Sequence, residues 1–123
     1  MLLELDFSSD IPIYMQIRNS IVVGIAGGEL RAGEKLPTIR GLADEAGVNM
    51  MTVNKAYSLL KQEGYIITDR RNGAYVNPNI NSPQAQKEEQ IKKLKLVISE
   101  MKLNGVTEEE FLNICREIFQ EKE

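Results

Sequence analysis

The sequence predicts a mainly α-helical chain with one small β-hairpin, cut in two by a hinge. Three observations carry that prediction. Apolar residues recur at helical spacing in several stretches, as in Ile13, Ile17, Ile21 and Ile25. β-rich runs gather at one place, 65–68 and 74–76, around Asp69-Arg70-Arg71-Asn72-Gly73. The run Asn77-Pro78-Asn79-Ile80-Asn81-Ser82-Pro83 holds two prolines and three asparagines and has little to bury. It divides a first domain, 1–78, from a glycine-poor tail, 84–123, with 79–83 as the linker.

Residues 2–7 partly alternate and predict a short extended arm. Asp10 as an acidic cap and Pro12, whose missing N–H does no harm there, open a first helix. Its apolar face is Ile13, Ile17, Ile21 and Ile25 with Tyr14 and Val22, and Gly27-Gly28 ends it. Gly33 and Leu36-Pro37 mark an extended connection, because a residue before proline avoids the helical region. Thr38 caps a short second helix with Ile39, Leu42, Ala43 and Ala46 inward, and Gly47 stops it. Asn49 caps a third helix, about 50–63, with Val53, Ala56, Tyr57 and Leu60 inward. Gly64 stops that helix, and the hairpin follows.

Beyond the hinge, Ile91, Leu94, Ile98 and Met101 step by 3, 4 and 3, the seam of a helix that packs on a partner helix. Leu96, Val97 and Leu103 widen the apolar surface, and Gly105 ends the helix. Thr107 with Glu110 forms a capping box for a last helix carrying Phe111, Leu112, Ile114, Cys115, Ile118 and Phe119. Two such helices cannot cover each other's apolar faces alone. They need the first domain or a second subunit, so the tail reads as a dimerisation appendage centred on Ile91, Leu94, Ile98, Met101, Phe111 and Ile118.

Composition removes several function classes. The 123 residues include no histidine, no tryptophan and one cysteine, with a net charge of −3. Without histidine there is no Ser-His or Cys-His nucleophile pair and no His-ligated metal. One cysteine allows no internal disulfide and no thiolate cluster. Glu108-Glu109-Glu110 suits a helix start better than a metal. Neither catalysis nor a metal or cofactor is implied. No stretch is long and apolar enough for a membrane helix, and MLLELDFSSD has no basic start of a signal peptide. Lone Cys115 and the missing export signal point to the cytoplasm. On the apolar face, Cys115 reads as a small buried hydrophobe, with a redox sensor as the alternative.

Two short helices joined by a tight glycine turn have the helix-turn-helix layout, whose second helix enters the DNA major groove. A basic-tipped hairpin directly after makes it a winged helix. Met50, Met51, Thr52, Asn54, Lys55, Ser58, Lys61 and Gln62 fall on the outer face of the third helix. Thr52 and Asn54 suit base edges or phosphate, Lys55 adds charge, and Arg70 and Arg71 suit a minor groove or phosphate. Blander roles are open. Arg40 could pair with Asp44, four residues on. Arg70 and Arg71 could be solvated charges guarding an edge strand. Met50 and Met51 could pack on the protein.

The order and spacing of many of these residues resemble the GntR family of bacterial transcriptional regulators. The matching run is Pro12-Ile13-Tyr14-Met15-Gln16-Ile17, Gly28-Glu29-Leu30, Gly33, Leu36-Pro37-Thr38-Ile39-Arg40-Gly41-Leu42-Ala43, Gly47-Val48-Asn49, Thr52-Val53, Ala56-Tyr57, Leu60, Glu63-Gly64 and Gly73-Ala74-Tyr75-Val76. It covers about 11–77. A two-helix tail resembles the short YtrA-type branch. The resemblance implies a homodimer that binds an inverted-repeat operator in double-stranded DNA, usually as a repressor and often of transporter genes. Carried over by position, the DNA contacts would be Arg40, Asn49, Met50, Met51, Thr52, Asn54, Lys55, Arg70, Arg71 and Gly73. Met50 and Met51 stand where the family commonly has proline, arginine or asparagine. Arg71 replaces a usual glycine, and Ala74 a usual threonine.

Overall fold

A computed structural model describes residues 3–81 and 84–121. Leu2 of the expected arm and Ser82-Pro83 of the hinge lie outside the described residues. The chain divides into two compact units between Ile80 and Asn81.

The first unit contains α1 (Ile13–Gly27), α2 (Ile39–Ala46), α3 (Met50–Gln62) and the strands β1 (Ile66–Asp69) and β2 (Gly73–Val76). Its core joins Ile17 and Ile21 of α1, Leu42 and Ala43 of α2, the predicted face of α3, and Ile66 and Val76 of the hairpin. All four α3 residues named as inward, Val53, Ala56, Tyr57 and Leu60, are buried. A fully buried aliphatic side chain contributes roughly 1.5–3 kcal/mol relative to exposure. This cluster therefore fixes how α3 is held against α1 and α2.

Three local expectations change. Pro12, rather than Asp10, is the N-cap of α1, and no side chain caps that end. The carbonyl of Pro12 instead accepts from the Met15 and Gln16 amides. The described part of the arm is not a strand. The Gln16 side chain holds it, its amide donating to the carbonyls of Asp6 and Ile11 and its oxygen accepting from the Asp6 amide. The connection at 33–36 does more than link α1 to α2. It lies along β2, with Gly33 and Leu36 donating to the carbonyls of Val76 and Ala74, and Val76 donating to Glu34. The hairpin is antiparallel, pairing Ile66 with Val76 and Asp69 with Gly73, and this segment flanks it on the β2 side.

The second unit holds α4 (Gln84–Leu103) and α5 (Glu108–Gln120). The capping box forms as the sequence predicts: the Thr107 hydroxyl accepts from the Glu110 amide, and the Glu110 carboxylate accepts from the Thr107 amide. Neither helix buries a residue. Cys115 is a free, half-exposed thiol, not the buried hydrophobe expected.

Candidate nucleic-acid interface

The helix-turn-helix is built by two polar caps and one glycine. The Thr38 hydroxyl accepts from the Gly41 amide at 2.9 Å and starts α2. Gly47, at φ +72°, takes the left-handed conformation that ends α2 and turns the chain toward α3. The Asn49 side-chain oxygen, Oδ1, accepts from the Thr52 amide at 2.9 Å and from its hydroxyl at 3.1 Å. This oxygen is engaged, so the Asn49 side-chain nitrogen, Nδ2, is the group available to a ligand. The phenol of Tyr57 donates to the Pro37 carbonyl at 2.8 Å, tying α3 to the entry of α2. Burial pushes the Tyr57 phenol well above the ordinary tyrosine range, because it disfavours the phenolate.

With its inner face sealed, α3 presents the rest outward. Met50, Met51, Asn54, Lys55, Ser58 and Lys61 are exposed, Met51 at 82%, and Thr52 is half-buried. Both methionines lie on the surface, outside the core in which they could have packed. Arg40 is exposed on the first turn of α2 and has no carboxylate within ion-pair distance among the described residues, so the pair with Asp44 does not form.

The wing stands beside this face. Arg70 and Arg71 are exposed at its tip, and Gly73, at φ +69°, returns the chain into β2. Asp69 holds the tip by accepting from the amide and the side-chain nitrogen of Asn72. Those hydrogen bonds keep its carboxyl below the ordinary carboxylate range. A groove of about 410 Å³ separates α3 from the wing, with Leu36, Asn54, Tyr57, Ser58, Lys61 and Thr68 among its lining residues.

Two cations of this unit sit over aromatic rings. The Lys55 ammonium is 4.1 Å from the Tyr14 ring centroid, and the Arg18 guanidinium is 5.7 Å from that of Tyr65. Arg18 also forms a two-point bridge to Glu63, at 2.9 and 3.0 Å, joining α1 to the end of α3. That hydrogen bond raises the Arg18 pKa. No local pattern marks this bridge, since its partners lie 45 residues apart.

In the tail, Ile91, Leu94, Ile98 and Ile118 are exposed, and Met101 and Phe111 are half-exposed. Among the described residues, no helix is long and apolar enough to cross a membrane.

The model of bacterial regulatory proteins of the gntR family matches residues 13–76, the span that builds both the helix-turn-helix and the wing. This chain belongs to the GntR family. It is similar to the transcriptional repressor YtrA of Bacillus subtilis, 38% identical over 78 residues, or 63% of this chain and 60% of that protein. YtrA of Sulfolobus acidocaldarius, a GntR-family transcription factor of solved structure, is 36% identical, with 94% of each chain covered and a TM-score of 0.60. A Listeria monocytogenes protein described as a transcriptional antiterminator superposes over 100% of this chain and 96% of its own, at 31% identity and a TM-score of 0.89. Within the family, the chain is of the YtrA type. The DNA-binding domain of AraR, solved with its operator, matches 60% of this chain and 95% of its own at 28% identity and a TM-score of 0.55. The family thus binds double-stranded DNA, and its members are transcriptional regulators rather than enzymes.

Proposed function

We propose that this regulator is a homodimeric repressor that binds an inverted-repeat operator in the bacterial cytoplasm. One observation supports it above the others: α3 seals its apolar face and leaves Asn54 and Lys55 exposed, while the tip beside it offers Arg70 and Arg71. The α3 face enters a major groove, with Met50 and Met51 against thymine methyl groups and Asn54 on base edges. Arg40, the side-chain nitrogen of Asn49 and Lys55 take the flanking phosphates, Thr52 joins them by swinging its hydroxyl from Asn49 to the DNA, and the wing takes the next backbone or minor groove through Arg70, Arg71 and the Gly73 backbone. The tail pairs two copies through Ile91, Leu94, Ile98, Met101, Phe111 and Ile118, so two heads face two half-sites. Repression follows from occupying a promoter, and the YtrA likeness makes transporter genes the first targets to test.

The net charge of −3 would speak against DNA if placement did not matter. It predicts weak binding to random sequence, so affinity must come from paired heads on the right site. Titration of fluorescent duplexes, selected by the purified protein from a random pool, tests this. With about three or four phosphate-facing cations per subunit, drawn from Arg40, Lys55, Arg70 and Arg71, log K should fall against log salt with a slope of roughly −5 to −7. Binding indifferent to salt, or equal for every duplex, would overturn the proposal.

A further inference from the structure

The two cation–ring pairs of the first unit have different surroundings. Arg18, over Tyr65, is neutralised by Glu63. Lys55, over Tyr14, has no carboxylate within ion-pair distance among the described residues. One cation is tied into the scaffold, while the other keeps its charge available. A lysine on an exposed helix face ordinarily spreads its ammonium over many rotamers. Here the ring limits that spread. Tyr14 lies on α1, whose Ile17 and Ile21 are locked into the same core as Val53, Ala56 and Leu60 of α3. The ring is therefore a fixed platform, and 4.1 Å is well within cation–π range. The ring covers one side of the ammonium, and the remaining N–H donors stay free to meet an acceptor. Tyr14 and Lys55 border a surface depression with Asn49, Met51 and Thr52, on the face proposed to meet DNA.

We propose that Tyr14 is a positioning residue for DNA binding, whose ring holds the Lys55 ammonium ready for a backbone phosphate. This rests on the proposed operator binding. The ring reduces the ordering cost of the lysine before DNA arrives, which is how preorganisation raises affinity.

The test is a double-mutant cycle on the full chain, using the best duplex selected from a random pool. Tyr14→Leu should weaken binding about 2- to 5-fold, the worth of an exposed cation–π contact, and flatten the salt slope. Tyr14→Phe keeps the ring and should restore both. Lys55→Met should flatten the slope by about 0.9 per subunit, and adding Tyr14→Leu to it should cost nothing more. An equal loss from Tyr14→Leu with and without the lysine would overturn the proposal and make Tyr14 a packing residue. Exposed Lys55 can be varied without disturbing the core, so if Tyr14→Leu folds poorly the Lys55→Met slope and the Lys55 ring-current shift, both read on proteins with the ring intact, still decide the proposal. Carbon-resolved NMR supplies a readout without DNA: the Lys55 ε-methylene protons should be shifted upfield by the ring in wild type and in Tyr14→Phe. Their absence from the ring current in wild type would also overturn the proposal. Wild-type protein that shows no salt-dependent duplex binding would instead remove the operator-binding function, and this inference with it.

Discussion

The two units use their apolar residues in opposite ways. In the first, side chains from three helices and the hairpin close on one core, and Ile17, Ile21, Leu42, Val53 and Leu60 retain no exposure. In the second, two regular helices with a complete capping box bury nothing, and Leu103 and Phe119 stand 87% and 91% exposed. Capping and helical spacing therefore suffice to shape α4 and α5 but do not satisfy them. A head that completes its own core presents a fixed surface. A tail that cannot complete its own core is suited to association, and in the proposed dimer that association would set the distance between two such surfaces.

The largest effect should come from breaking the tail. Leu94→Glu with Ile98→Glu places four charges in a paired seam, two from each copy. Sedimentation should then report monomers, and operator affinity should fall by about 10²–10⁴, the avidity of two linked heads. The melting transition of the head should stay in place, since its core contains neither residue. A double mutant that still sediments as a dimer would move the interface elsewhere. A smaller effect should come from the head's surface. Arg70→Ala with Arg71→Ala should cost about 1–3 kcal/mol against operator and random duplex alike, because backbone contacts carry no sequence information. Unchanged binding in anisotropy titrations would remove the wing from the interface.

The same contrast separates what could be read along the chain from what could not. Thr38, Asn49, and Thr107 with Glu110 act within three residues of themselves, and each cap forms where its local pattern placed it. The inner face of α3 was equally legible, because helical spacing alone selects Val53, Ala56, Tyr57 and Leu60. The placement of 33–36 along β2 was not, because its partners arrive only after α2 and α3 have been folded between them. The Arg18–Glu63 bridge and the Lys55–Tyr14 stack also need α1 brought against α3. Asp10 failed as a cap for a different reason. Its polarity suits many positions before a helix, and the chain uses Gln16 rather than Asp10 to fix the approach to α1. Residue types on the proposed DNA face were legible, but their engagement was not. Periodicity could assign Lys55 to the outer face without saying that a ring from another helix lies beneath it.

The smallest effect should arise where scaffold and surface meet, at Tyr57. Its phenol reaches from the core of α3 to the Pro37 carbonyl, one residue before the cap of α2. Tyr57→Phe retains the buried ring and removes only that hydrogen bond, so the head should lose about 1 kcal/mol in denaturant or thermal unfolding. Affinity should fall less than in the wing variant, because the core still holds α2 near α3. The pH dependence has a definite sign. Burial raises the folded phenol above the ordinary value of 10.0, so the folded head holds this proton more tightly than the unfolded chain. The associated stabilisation is complete below that ordinary value and is lost as pH rises through the higher folded one. Tyr57→Phe should therefore show a shallower alkaline loss of stability, and an ultraviolet difference titration should lose one tyrosine that ionises above the ordinary range. Equal alkaline profiles for the two proteins would mean that water reaches the Tyr57 hydroxyl in solution, and that the link between α3 and the start of α2 opens there.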